Sequence, residues 1–283
     1  MGVFAAQRPV LRLMAVAAAF VTSAAAFAAD PIKIGSVVSA TGPAAFLGDP
    51  EARTLKLYVD ELNKKGGLLG RPVELVLYDD GGDANKARTF ATRLVEDDKV
   101  VAVVGGTTTG ASMAMLPVFD EAKIPFMSVA GAIEIIEPVR PYVFKTPHTD
   151  KTACQKIFSD MKARGLTKIG MISGADGFGK SMRAQCMKIV GDYGITVLVD
   201  ESYGAADSDM TPQLNKIKNA AGVQAVLNPG FGQGPAIVTR NYGQLGMTAP
   251  LYQSHGVASK SFIDLANARG GKDNITAVLV EID

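Results

Sequence analysis

Tryptophan is missing from this chain, and aromatic residues of any kind make up only 7% of its 283 positions. A protein that stacks nucleobases on an aromatic platform needs more than that. There is no basic surplus either. Lys and Arg number 29 against 28 Asp and Glu, so neither a nucleic-acid footprint nor a polybasic lipid anchor is expected. Histidine occurs only as His148 and His255, and cysteine only as Cys154 and Cys186. These four residues show none of the ligand spacings of a structural zinc site. No Ser-His-Asp or Cys-His set is readable, so no nucleophilic hydrolase is expected. After the first 28 residues no run approaches the roughly 20 apolar residues that cross a bilayer, and a soluble mature chain is the expectation.

What is present begins with a leader. Arg8 and Arg12 precede the short apolar run "LMAVAAAFVTSAAAF", and Ala26-Phe27-Ala28 puts small residues at the two positions that direct cleavage. Residues 1–28 therefore read as an export signal whose removal leaves a periplasmic chain. Loss of its two arginines takes the formal charge from +1 to −1. In an oxidising compartment Cys154 and Cys186 could pair; both fall on predicted helices, where buried free thiols are the alternative. A hydrophobic content of 47% is ample for a real core.

Along the mature chain, strand-length apolar runs alternate with segments of helical period. Strands are predicted over 32–38, 73–80, 100–105 and 124–129, with helices over 51–67, 83–98 and 110–123 between them. Asp83 is the expected N-cap of the second helix. The pattern then restarts: helices over 151–165, 179–193, 209–220, 234–246 and 259–270 alternate with strands over 168–173, 195–201, 223–229, 250–254 and 275–282. Strict alternation implies parallel sheets covered by helices. Two rounds of it imply two Rossmann-like lobes, 29–147 and 148–283, joined near "FKTPHTD" (144–150). Ligands of such sheets bind beyond the carboxyl ends of the strands, so two facing lobes would enclose one cleft.

One loop at a strand end offers a competing function. In "SGADGFGKS" (173–181), Gly174, Gly179, Lys180 and Ser181 satisfy the phosphate-loop pattern G-x-x-x-x-G-K-[ST], and "VLVDE" (197–201) mimics an acidic magnesium-holding strand. The chemistry disagrees with the pattern. Asp176 puts a like charge inside the loop and Phe178 puts bulk there, where a phosphate needs open amides. An exported chain also meets no ATP pool. An NTPase is thus the remote reading. "GGTTTGAS" (105–112) is a clearer site: glycines admit a close approach, Thr107, Thr108, Thr109 and Ser112 supply hydroxyls, and the following helix aims amides at an anion. The alternative is a set of hydroxyls that cap only their own helix.

Taken in order, "IKIGSVVSATGPAAFLGD", "NKKGGLLGRPVELVLYDD" and "VVAVVGGTTTGASMAMLPVFDEAKIPFMS" resemble the solute-binding proteins of ABC importers, specifically the branched-chain amino acid (Leu/Ile/Val, hydrophobic) family with the type I periplasmic binding protein fold. The resemblance covers residues 30 to about 283 and includes the apparent phosphate loop, since Asp176, Phe178 and Gly179 match the family's Asp-aromatic-Gly after the first strand of the second lobe. It implies that Thr109, with Thr108 beside it, binds a ligand carboxylate, and that backbone groups at Ala130 and Ala132 complete the clamp. Leu47 and Phe46 would line the side-chain pocket, Phe178 would close from the second lobe, and Asn228 to Phe231 would approach from the next strand end. It further implies no cofactor, no enzymatic activity, and a monomer working with ABC permease subunits; a ligand sensor of the same fold is the alternative.

This sequence departs from that pattern in two places. His255 stands where amino acid binders carry the acid that holds the ligand's ammonium, and Phe178 stands where a Tyr is usual. Both favour a carboxylate without an amine, an aromatic acid such as benzoate or a hydroxybenzoate. The alternative leaves His255 at the rim, with Asp176 or Glu134 meeting an ammonium. The chain also ends about where the family returns to complete the first lobe, so that lobe is expected to lack its closing helices and to expose an apolar face.

Overall fold

A computed structural model describes residues 30–257 together with Phe262 and Asp264. The predicted export signal, the remainder of the predicted helix 259–270 and the predicted strand 275–282 lie outside the described residues.

Five parallel strands form the first sheet: β1 (Ile32–Val38), β2 (Val73–Asp79), β3 (Ala102–Gly105), β4 (Phe126–Ser128) and β5 (Val143–Lys145), in the order β2-β1-β3-β4-β5. Its helices are α1 (Ala45–Lys64), α2 (Ala84–Glu96) and α3 (Thr109–Ala122). The second sheet is also parallel, with β6 (Lys168–Gly174), β7 (Thr196–Tyr203), β8 (Ala225–Asn228) and β9 (Leu251–Gln253) in the order β7-β6-β8-β9. Helices α4 (Asp150–Ala163), α5 (Gly177–Ile189), α6 (Thr211–Asn219) and α7 (Gln233–Gln244) belong to it. These are two α/β lobes, as the alternating pattern requires. In each, the order reverses beside the first strand, which opens a crevice at the carboxyl ends.

Burial explains the arrangement. In the first lobe Val37, Leu94, Val103, Met115, Phe119 and Phe126 form one core between the sheet and the pair α2 and α3. Gly35 is required there, because a Cβ on it would lie 2.9 Å from Leu94. The other face of this sheet carries α1, whose Leu57 and Tyr58 remain exposed, as does Phe144 on β5. The second sheet is packed on both faces: Phe158, Met161, Met171 and Met182 lie with α4 and α5, while Ile172, Leu214, Ile217 and Val238 lie with α6 and α7. Cys154 of α4 and Cys186 of α5, both fully buried, are joined in a disulfide. Of the two states the sequence left open, the fold realises the paired one.

Two expectations are corrected. The first helix begins at Ala45, not Glu51, and runs through Pro50. Proline tolerates helical φ, and the bond it forgoes is the one to the carbonyl of Phe46. Phe46 and Leu47 consequently sit in the first turn of a helix rather than in a loop. The segment expected to be a plain crossing contains β5, whose three residues pair in parallel with β4; so short a strand leaves no periodicity to read.

Candidate functional site

The three threonines after β3 have three different jobs. Thr107 accepts from the Ser39 amide at 2.9 Å and donates to Glu51 Oε2 at 2.5 Å, which ties the loop to α1. Thr108 is the N-cap of α3 and accepts from the Ala111 amide at 3.1 Å. With the cap provided by its neighbour, the Thr109 hydroxyl is buried and has no hydrogen-bond partner among the described residues. A buried hydroxyl left unpaired is costly, and this one lies at the amino end of α3, where the helix favours negative charge. Behind it the Ser112 hydroxyl donates to the Gly106 carbonyl at 2.8 Å and meets the Ser128 hydroxyl at 2.7 Å. The amide of Ala130 donates to that same Ser128 at 3.1 Å. Ala130 and Ala132 are both buried.

The second lobe closes against this loop. A Cβ on Gly177 would come within 3.0 Å of the Gly110 amide nitrogen, and a Cβ on Gly131 would lie 3.0 Å from the Phe178 ring and 3.1 Å from His255 Nε2. A side chain at either position would force its neighbour aside. The amide of Asp150 donates to the Gly131 carbonyl and the amide of Ile133 to Asp150 Oδ1, each at 3.0 Å. Rings gather at the junction. Phe178 meets Phe231 edge-on at 6.2 Å and His255 edge-on at 5.2 Å, Phe231 lies 6.5 Å from Phe46, and His148 lies 4.4 Å from His255. Thr109, Phe178, Phe231, Phe46 and His255 are thus brought to one lobe–lobe junction. Leu47, more than a third exposed, stands at its edge. Asn228 is different. It is fully buried, its Oδ1 accepts from the Tyr203 hydroxyl at 3.1 Å, and its Nδ2 donates to Gln253 at 2.9 Å. Its amide is committed to bracing the strand ends, and the Pro229 and Gly230 carbonyls beyond it accept from the Gly174 amide and the Ser254 hydroxyl.

The acids of the junction are already engaged. Asp176 caps α5, accepting from the amides of Phe178 at 2.8 Å and Gly179 at 3.0 Å. Its carboxylate fills the amide nest that a phosphate would need, and the acidic strand is likewise committed, Asp200 to Arg183 and Glu201 to Lys216. The phosphate-loop pattern is therefore a capped helix start. Glu134 pairs with Gln185 Nε2 at 3.4 Å. His255 Nδ1 is buried without a partner among the described residues. Burial, followed by the proximity of His148 and Lys145, pushes the His255 imidazole down to about 4. Sequence reasoning missed His148 as a site residue, because its only signal was rarity, and it missed Glu51 and Asp80, which the fold places beneath the threonine loop. Ser39 Oγ donates to Asp80 at 2.6 Å there. Among the described residues no group of His, Cys, Asp and Glu is placed to hold a metal ion.

A family model described as "Periplasmic binding protein" matches residues 31–272. The leucine-, isoleucine-, valine-, threonine- and alanine-binding protein of Pseudomonas aeruginosa is 29% identical over 241 residues, covering 84% of this chain and 64% of that protein. Leu/Ile/Val-binding protein homolog 7 of Brucella abortus is 28% identical over 229 residues, covering 77% of this chain and 57% of its own length. The chain thus spans less than two thirds of the length of these relatives. Among solved structures, the branched-chain amino acid transporter substrate-binding protein LivJ of Streptococcus pneumoniae, in complex with isoleucine, superposes with a TM-score of 0.75 at 26% identity, covering 84% of this chain and 68% of that one. A solute-binding protein of an ABC transporter from R. palustris, in complex with benzoate, gives 0.73 at 23% identity, with 84% and 66% covered. At that identity the likeness is one of fold.

Proposed function

Since the chain belongs to the periplasmic binding protein family, we propose that it is the extracytoplasmic binding component of an ABC importer, a binder rather than an enzyme, that closes on a small carboxylate-bearing solute by hinge motion and presents it to a membrane permease. The observation that carries this reading is the Thr109 hydroxyl, buried and unpartnered at the amino end of α3. It supplies a neutral donor with no Lys or Arg beside it on the loop, a combination suited to a carboxylate that must later be released. Phe178 and Phe231 from the second lobe and Phe46 from the first provide apolar walls.

Within this class the solute is an aromatic acid of the benzoate or hydroxybenzoate type. An amino acid needs an acceptor for its ammonium, and the carboxylates named for that role are each partly engaged: Asp176 caps a helix through Oδ1 and Glu134 accepts from Gln185. His255, pushed down to about 4, offers an imidazole that is neutral near pH 7. The second reading, a branched-chain amino acid, is favoured by what the relatives are named for. A sensor of the same fold shares the ligand and differs only in partner.

A thermal-shift panel of leucine, benzoate, 4-hydroxybenzoate and Mg-ATP on the exported chain tests these readings together. A ligand at 100 times its Kd adds about 2.7 kcal/mol of stability. A shift with the aromatic acids and not with leucine is expected. A shift with leucine alone moves the protein to the second reading, and a shift with Mg-ATP overturns the class.

A further inference from the structure

We infer that His148 and His255, with Lys145 behind them, form a proton-accepting subsite across the junction from Thr109, in which an imidazole takes up a proton from solvent as the acid group of the solute enters. The inference rests on the acidic-solute reading above and adds to it a mechanism of selection.

The geometry is specific. His148 lies on the crossing between β5 and α4, and His255 lies on the turn after β9, so two segments far apart in sequence each bring one imidazole to the same point. Their rings meet edge-on at 4.4 Å, and His255 also meets Phe178 edge-on at 5.2 Å. Lys145 Nζ reaches the carbonyls of Pro147 at 2.5 Å and His148 at 3.1 Å, which pins an ammonium against the backbone that carries His148. His255 Nδ1 is buried with no hydrogen-bond partner among the described residues.

Three carboxylates on the described elements that pack here have hydrogen-bond donors of their own. Asp150, at the start of α4, is buried and accepts from the amides of Ile133 and Lys151 and from the Ser181 hydroxyl. Asp176, before α5, accepts from Phe178 and Gly179. Glu134, on the turn 133–135, pairs with Gln185. The segment after β8 and β9 contributes Gln253 and Ser254, which carry no charge and are bonded to Asn228, Thr239 and the Gly230 carbonyl. Among the described residues the three nitrogen bases stand together with the Asp150 carboxylate acting on Lys145 and with no carboxylate hydrogen-bonded to His255 Nδ1. Burial and Lys145 push His148 down, and burial pushes Lys145 down against the pull of Asp150.

Such a cluster is neutral at its imidazoles when empty. A solute anion supplies the missing negative charge, raises the affinity of an imidazole for a proton, and is held by the imidazolium so formed. An ammonium brought to the same place meets the Lys145 charge and brings no anion to raise the imidazoles' affinity for a proton. The balance is one anion and one proton in, with no covalent bond made or broken.

The chain contains only two histidines, so its imidazole NMR signals are readable without further labelling. In the free full-length protein, one imidazole is expected to titrate well below the ordinary value. Calorimetry with benzoate at pH 6, in two buffers of different ionisation enthalpy, is expected to show net proton uptake. Affinity should then tighten as pH falls, about tenfold per pH unit where uptake is complete, and His255→Gln should abolish the uptake. Benzoate binding without proton uptake overturns the inference and leaves the ligand reading standing. If neither benzoate nor 4-hydroxybenzoate binds, the ligand reading fails, and the free-protein titration still decides the subsite: two imidazoles titrating at the ordinary value overturn it.

Discussion

Removing the bridge between α4 and α5 is a perturbation whose size follows from the fold. Cys154 and Cys186 are 32 residues apart in sequence and fully buried. In the loop-closure treatment a crosslink over that span withholds entropy from the unfolded chain worth about 3.7 kcal/mol. Replacing both residues with alanine avoids leaving a buried hydroxyl or a reactive thiol, so the loss is dominated by that term. If the lobes melt together, each kcal/mol corresponds to roughly 2–4 °C at this size, and the double variant should melt about 7–15 °C lower than the oxidised protein. Differential scanning calorimetry without reductant measures this. Because the bridge lies within the second lobe, a resolved two-step melt should move in one step only. A drop of less than about 3 °C, with the wild-type bridge confirmed by mass, would refute the entropic argument. A fall confined to the first lobe's transition would refute the placement.

The threonine loop and its support give two more tests. Thr109→Val keeps the volume and removes the hydroxyl; it should weaken binding of the carboxylate ligand about tenfold with little change in melting, whereas Thr108→Val should cost about 1 kcal/mol of stability as a lost cap with far less effect on affinity. Calorimetric titration and urea melts on both variants separate them, and the reverse pattern would exchange the two roles. Burial, opposed by the Thr107 hydroxyl and reinforced by Asp80, pushes the Glu51 carboxyl from 4.5 up to about 7. The native state then holds a proton that the unfolded chain has lost, so stability should fall as pH rises from about 4.5 to 7 and level off above it. Glu51→Gln should flatten that slope and raise stability at pH 8 by about 1–3 kcal/mol; an unchanged slope would show that this carboxyl does not titrate there.

Legibility differed from residue to residue for physical reasons. Asp83 could be read in advance, because an N-cap involves only the next few amides; Asp176 caps α5 in the same way, and its carboxylate stands where the phosphate-loop pattern would place a phosphate. The first turns of α1, Ala45 to Pro50, were not read, and the proline among them fits a helix interior only because its missing bond falls near the helix start. β5 was invisible, being too short for a period. Thr108 and Thr109 are adjacent and chemically identical, and nothing local says which of them caps and which is left free. That depends on the exit angle from β3 and on Gly177 arriving from the other lobe.

The sequence by itself determined the two α/β lobes, their parallel sheets and the set of strand ends from which a cleft would be built. Those follow from periodicity and from residues within a few positions of one another. Only the tertiary structure decided that Cys154 meets Cys186, that Glu134 meets Gln185, that Asn228 braces rather than projects, and that His148 and His255 share one corner. Each of those is a contact across tens of residues, set by how helices pack on sheets and how two lobes meet, and a pairing of that range leaves no mark on local pattern.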